Sequence, residues 1–212
     1  MVNLSQIADD LIKGQAQAVK VGVQAALDQG VLPKEILDRG LVAAMSVVGE
    51  RFKLNQIYIP EVLIAARAMQ AGMEILRPLL EGSGVKPIGM VIIGTVKGDL
   101  HDIGKNLVAM MLKGAGFEVE DLGIDVHPQQ FVQVVKRSQA QIVAMSCLIT
   151  TSMPSMAETI RALEATGLVG KVKTMIGGAP VTQAYADEVG ADGYAPEASS
   201  AVDKAKELLQ LK

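Results

Sequence analysis

The sequence predicts two modules in series: a helical bundle over residues 1–84 and, over 85–212, an α/β module built on a five-stranded parallel sheet. Three observations carry that reading. The first 84 residues place apolar side chains at helical spacing and contain no convincing strand. Residues 81–87, with two Gly, a Ser and a Pro, form the one linker-like stretch. Beyond it, short apolar runs alternate with helical segments, the pattern of a parallel sheet with right-handed crossovers and helices on both faces.

Within the bundle, Leu4, Ile7, Ala8, Leu11 and Ile12 mark a first helix. Val19, Val23, Ala26 and Leu27 mark a second, which Gly30 ends. Pro33 suits the first turn of a third, carried by Ile36, Leu37, Leu41, Ala44, Met45 and Val48. A polar break at 53–56 precedes a fourth over 60–80, striped by Val62, Leu63, Ala66, Met69, Met73 and Leu76. Short connections between four helices predict a bundle. In the second module, strands are expected over 88–95, 117–122, 142–146, 172–176 and 193–195. Helices are expected near 104–115, 128–137, 154–166, 181–189 and 198–211. This layout fits a flavodoxin-like (Rossmann-like) sheet of order 2-1-3-4-5, whose ligands sit beyond the strand C-termini at the switch point.

Composition narrows the chemistry. A net charge of −3 and six aromatic residues among 212 give neither the basic footprint nor the stacking platforms expected of nucleic-acid binding. Cys147 is the one cysteine, which excludes an internal disulfide and any Cys-rich zinc or iron–sulfur site. The two histidines, His101 and His127, are too few for an ordinary all-protein metal site. No apolar run approaches the ~20 residues of a membrane span, and residues 1–6 do not read as a signal peptide. A soluble cytoplasmic protein that borrows a cofactor is expected. The 11 methionines read as adaptable core and His127 as a surface residue.

The loop after the first strand, 94–106, carries the sharpest signal. Asp99 and His101 stand two residues apart between Gly98 and Gly104, and an extended segment places both side chains on one side. A carboxylate so placed holds one ring nitrogen of His101 and frees the other as a base or metal ligand. The bland alternative is an exposed loop histidine with an accidental acidic neighbour. The strand-end location, the flanking glycines and the acidic i−2 residue favour a site. With so few other donors, the metal it serves would already be held by an organic ring. Lys105 after Gly104 evokes a phosphate loop, but the required spacing is not met.

Asp99-x-His101-x-x-Gly104 resembles the D-x-H-x-x-G signature of cobalamin-binding domains. Ser146-Cys147-Leu148 resembles the S-x-L motif after the third strand of that family, and Gly177-Gly178 the paired glycines after the fourth. Residues 48–52 and 57–62 resemble the helical cap of methionine synthase and of the small corrinoid proteins. The two-module layout is similar to the corrinoid proteins serving methanol, methylamine, glycine betaine or methoxyaromatic methyltransferases. It is not expected to be a full multidomain methionine synthase, since no substrate-binding or activation domain is read in these residues.

The resemblance implies a cobalamin or related corrinoid, cycling between methylcob(III)alamin and cob(I)alamin. His101 would be the lower axial ligand to cobalt, hydrogen-bonded by Asp99. Ser152 would complete a proton relay, or else cap the helix ahead of Pro154. Gly98, Asp102, Ile103, Gly104, Ser146, Leu148, Thr150, Gly177 and Gly178 would line the cofactor site. Its glycines would serve either close ligand approach or turn geometry. Phe52, Tyr58, Ile59 and Val62 would form an apolar lid, with ordinary bundle core as the alternative; Cys147 would be inert packing. The implied function is a methyl carrier. It would be loaded by a substrate:corrinoid methyltransferase, unloaded by a second methyltransferase using tetrahydrofolate or coenzyme M, and served by a reductive activase. The linker near 82–84 would be a hinge for cap movement. A cobalamin-dependent sensor is the alternative, and a receiver or flavin domain is disfavoured by the residues after the strands.

Overall fold

The structure, a computed structural model, describes residues 3–168 and 170–211. It divides into two compact units, Met1–Pro87 with Gly114–Gly116, and Ile88–Lys113 with Phe117–Lys212. Helices α1 (Leu4–Ile12), α2 (Ala16–Asp28), α3 (Pro33–Glu35), α4 (Ala43–Lys53) and α5 (Ile59–Gly82) build the first unit. A π-helical segment, Ile36–Val42, joins α3 to α4, so the third predicted rod is one run with a widened middle. Ile7, Leu11, Val19, Val23, Leu41, Val48 and Leu76 are fully or almost fully buried at the spacing the sequence predicts. Asn55, at φ +55°, turns the chain between α4 and α5. The Tyr58 N–H then donates to the Glu61 carboxylate (3.0 Å) to start α5.

The second unit alternates β1 (Met90–Thr95), α6 (Ile103–Gly114), β2 (Glu118–Asp121), α7 (Pro128–Arg137) and β3 (Ile142–Ser146). It continues through α8 (Pro154–Ala165), β4 (Lys173–Gly177), α9 (Gln183–Val189), β5 (Gly193–Ala195) and α10 (Ala198–Leu208). The sheet is parallel in the order β2-β1-β3-β4-β5, as the alternation predicts. Central β1 and β3 are buried almost throughout, as strands covered on both faces must be. Phe131, Met156, Ile160 and Leu163 pack with Ile92, Val143 and Ile176 in one core.

Some boundaries differ from expectation for ladder reasons. The strand predicted from 88 begins at Met90, where Glu118 becomes its partner, and Val91 then meets Ile142. The last helix, expected to run to 211, stops at Leu208, and Gln210 adopts φ +55°. Register is what matters for function. Thr95 pairs with Ser146, Ser146 with Gly177, and Gly177 with Ala195. The motif-bearing strands therefore end side by side. Among the described residues no helix is long and apolar enough to cross a membrane.

Candidate functional site

Beyond Thr95 the chain leaves the sheet in a turn that requires a left-handed residue, and Gly98 supplies it at φ +83°. The turn sends the Asp99 side chain inward, where it is fully buried, while the His101 ring stays 53% exposed. Asp99 Oδ1 accepts from the His101 backbone N–H (3.0 Å) and lies 2.7 Å from its ring Nδ1. Asp99 Oδ2 accepts from the N–H groups of Leu148 (2.6 Å) and Ile149 (3.3 Å) and from the Ser152 hydroxyl (3.2 Å). Burial alone would push this carboxyl's pKa up. The hydrogen bonds from Leu148, His101 and Ile149 outweigh it and hold the group well below the usual carboxylate range. An ionised Asp99 favours the proton on Nδ1, which leaves the Nε2 lone pair available to a ligand.

Ser152 lies against Asp99 and does not cap the next helix. It is buried at the end of a 3₁₀ turn, Thr150–Ser152, and its hydroxyl reaches Asp99 Oδ2 and the Ile149 carbonyl (3.0 Å). Met153, not Ser152, occupies the N-cap of α8, and it makes no side-chain cap. His101, Asp99 and Ser152 thus form one hydrogen-bonded line. Cys147 lies beneath it, buried, with Sγ 3.0 Å from the Ile149 carbonyl and 3.1 Å from Ser152 Oγ. Burial pushes its thiol pKa up, which suits an unreactive packing residue.

Around His101 the surface is apolar. Leu100 and Ile103 are 68% and 72% exposed, and Leu148 and Ile149 are 45% and 38% exposed. Four exposed aliphatic side chains thus stand on the two loops that Asp99 joins, which suits an apolar ligand. Asp102 is also exposed, with its carboxylate accepting from the Asn106 amide (3.0 Å). Ser146 and Thr150 stand at and beyond the end of β3, and their hydroxyls take no part in the Asp99 network. The glycines differ in kind. A Cβ on Gly104 would meet nothing within 4 Å, whereas one on Gly177 would lie 2.6 Å from the Ala195 carbonyl oxygen. One on Gly178 would lie 1.7 Å from that of Cys147. Gly104 therefore leaves open space, whereas Gly177 and Gly178, at the end of β4, are pressed against neighbouring backbone.

In the first unit, Tyr58 and Ile59 are 66% and 41% exposed and Phe52 is half-buried. Val62 is completely buried, so it packs core and offers no lid surface. His127 is exposed, and its backbone N–H donates to the Gln130 side chain (2.8 Å) at the start of α7. Lys105 is buried against Asp121 (2.5 Å) and Asn106 (2.6 Å), an internal tie and no phosphate ligand.

Two residues carry no motif yet hold the site. The Thr95 hydroxyl donates to the His101 carbonyl (2.8 Å). Asp125 Oδ1 accepts from the Gly98 N–H (2.7 Å). Among the described residues no cluster of three or more His, Cys, Asp or Glu could hold a bare ion. The donor set is one outward imidazole nitrogen on an apolar bed, beside open space at Gly104. It fits a metal whose equatorial positions are already filled by a flat organic ring.

Comparison with known proteins agrees with this fit. A family model described as a B12 binding domain matches residues 89–203, and a second of that description matches residues 4–77. Dimethylamine corrinoid protein 1 of Methanosarcina acetivorans is 47% identical over 208 residues, covering 97% of each chain. A crystal structure of a cobalamin-binding protein from Desulfitobacterium hafniense superimposes with TM-score 0.81 at 33% identity, over 98% of this chain and 99% of that one. A chain of the methanol:cobalamin methyltransferase complex from Methanosarcina barkeri gives TM-score 0.87 at 31% identity, over 98% and 79%.

Proposed function

This chain belongs to the family of B12-binding corrinoid proteins, and from that premise we propose that it is a cytoplasmic methyl carrier between two methyltransferases. Its cofactor is a corrinoid, and it is a corrinoid protein of a methyltransferase system. In this reading the methyl donor is a small methylamine, the class named for its full-length relative. The acceptor, reached through the second enzyme, is tetrahydrofolate or a thiol such as coenzyme M. A reductive activase restores the carrier when it is oxidised.

When bound, the corrinoid supplies a cobalt centre that takes up and surrenders the methyl group. The chain's own residues do the rest. His101 would hold the cobalt through Nε2, and Asp99 would fix the tautomer that keeps that nitrogen free for it. The Asp99 carboxylate, 2.7 Å from Nδ1, would offset positive charge on the ring. Ser152 donates to the far carboxylate oxygen and so modulates how strongly Asp99 holds the ring. Leu100, Ile103, Leu148 and Ile149 supply the apolar bed, and Ser146 and Thr150 offer hydroxyls to the nucleotide tail. Of the lid residues the resemblance implies, Phe52, Tyr58 and Ile59 are the ones with surface to offer an apolar ligand.

The observation that carries the reading is the 2.7 Å Asp99–His101 pair with its free nitrogen on an exposed apolar face. Reconstituting ¹⁵N-labelled protein anaerobically with cob(II)alamin tests it. Protein ligation splits the axial EPR signal into a doublet, whereas the cofactor's own base would give a triplet. His101→Ala is expected to fold normally, lose the doublet and bind at least about tenfold more weakly. A wild-type doublet in that variant would overturn the reading.

Gly104→Leu offers an independent check. The site is open, so urea unfolding of the apoprotein should show equal stability or a gain of up to ~0.8 kcal/mol from helix propensity. Corrinoid uptake, followed by absorbance, should fall. Normal uptake would show that this space is not used by the ligand.

A further inference from the structure

We propose that Asp125 is a positioning residue for the ligand loop, gripping Gly98 and Asp99 so that the His101 ring is held ready for cobalt. The inference rests on the reading of His101 as axial ligand.

Asp125 lies between β2 and α7, on a stretch that β1 itself places. The Thr95 N–H donates to the Gly123 carbonyl (3.0 Å), and the Val126 N–H donates to the Thr95 carbonyl (2.9 Å). Between these ties Asp125 makes two bonds to the site loop. Its Oδ1 accepts from the Gly98 N–H (2.7 Å), and its own N–H donates to the Asp99 carbonyl (3.0 Å). Asp125 adopts φ +53°, a left-handed conformation uncommon outside glycine, though aspartate and asparagine tolerate it best. It forms no ion pair with Lys or Arg among the described residues. Its conformation therefore serves the Gly98–Asp99 turn.

The consequence concerns orientation. The Asp99 carboxylate is anchored from the β3 side by Leu148, Ile149 and Ser152. Its backbone is anchored from the β2 side by Asp125. Oδ1, which holds both the backbone and the ring of His101, is thus fixed from two directions. Releasing one anchor leaves the carboxylate in place but frees the turn, so the imidazole samples orientations unsuited to ligation.

Three substitutions separate the two features of Asp125. Asp125→Asn keeps an acceptor and tolerates the backbone; Asp125→Gly keeps the backbone and removes the acceptor; Asp125→Ala removes the acceptor and strains the backbone. Each ¹⁵N-labelled variant is reconstituted with cob(II)alamin and read by EPR, beside His101→Ala. Amide exchange at Gly98 and thermal melting are measured on the apoproteins. The Asn variant should keep the wild-type doublet. The Gly and Ala variants should lower the ratio of protein-ligated to unligated cobalt about tenfold, equivalent to about 1.4 kcal/mol, with faster Gly98 exchange. Wild-type doublets in both, or a lowered melting temperature with an unchanged doublet, would overturn the proposal. So would an Asn variant as impaired as Ala. An unchanged His101→Ala spectrum overturns the ligation reading and the positioning role together. A changed His101→Ala spectrum beside unchanged Asp125 variants overturns the positioning role alone. Should Asp125→Ala fail to fold, Asp125→Gly carries the test.

Discussion

Replacing Asp99 with Asn is expected to cost about 3 kcal/mol of folding stability and to abolish axial ligation by His101, although the change is isosteric. Each Asp99 oxygen faces donors only: Oδ1 the two nitrogens of His101, Oδ2 the groups of Leu148, Ile149 and Ser152. An asparagine must turn its NH₂ toward one of these sets. Toward Leu148 and Ile149 it meets two backbone N–H groups that cannot reverse. Toward His101 it still meets a backbone N–H, while the ring can adapt by shifting its proton to Nε2. That shift satisfies Nδ1 as an acceptor but removes the lone pair that ligation needs. Nitrogen NMR of the apoprotein ring reads the tautomer directly, and urea unfolding reads the stability. A variant with a protonated Nδ1 and wild-type stability would refute the account.

The pH dependence follows in sign. Asp99 has a lower pKa folded than unfolded, so its contribution is complete above the unfolded carboxylate value of about 4. It is lost progressively as pH falls through that value toward the depressed folded one. The stability gap between wild type and Asp99→Asn should therefore shrink steadily as pH falls below about 4.

These groups show which parts of the site a sequence can hold. The Asp99–His101 pair is legible because it is local: a two-residue spacing after a left-handed glycine dictates the shared side and the hydrogen bond. The strand order is legible because apolar runs alternate with helices, and parallel crossovers have one hand. Ser152 is legible only through the family resemblance, as one of two readings, since its bond to Asp99 spans 53 positions and depends on a 3₁₀ turn that tucks it inward. Helix-start grammar offers an equally good cap at that place. Asp125 is hidden for the same reason, 27 positions from Gly98 and outside any motif. Val62 shows the converse. Its spacing with Ala65, Met69 and Leu76 already places it on the buried stripe of α5, and there periodicity outweighs proximity to the exposed Tyr58 and Ile59.

Gly178→Ala is expected to be the most damaging single methyl in this unit. Gly178 sits at φ +131°, and the added carbon would lie 1.7 Å from the Cys147 carbonyl oxygen. No rotamer relieves that contact, because both partners are backbone. Yielding would pull the Cys147 N–H from the Gly177 carbonyl it meets at 3.1 Å, next to the strand ends that present Leu148 and Ile149 to Asp99. A loss of about 4 kcal/mol, or roughly 8–16 °C in Tm, is expected, with soluble yield falling accordingly. Damage should reach His101 through Asp99, so the cob(II)alamin doublet should weaken even in the fraction that folds. Gly104→Leu reverses this pattern, keeping the apoprotein intact while blocking the ligand. If Gly178→Ala instead melted like wild type and lost only corrinoid uptake, the pair after β4 would be ligand-facing, and the backbone assignment would fall.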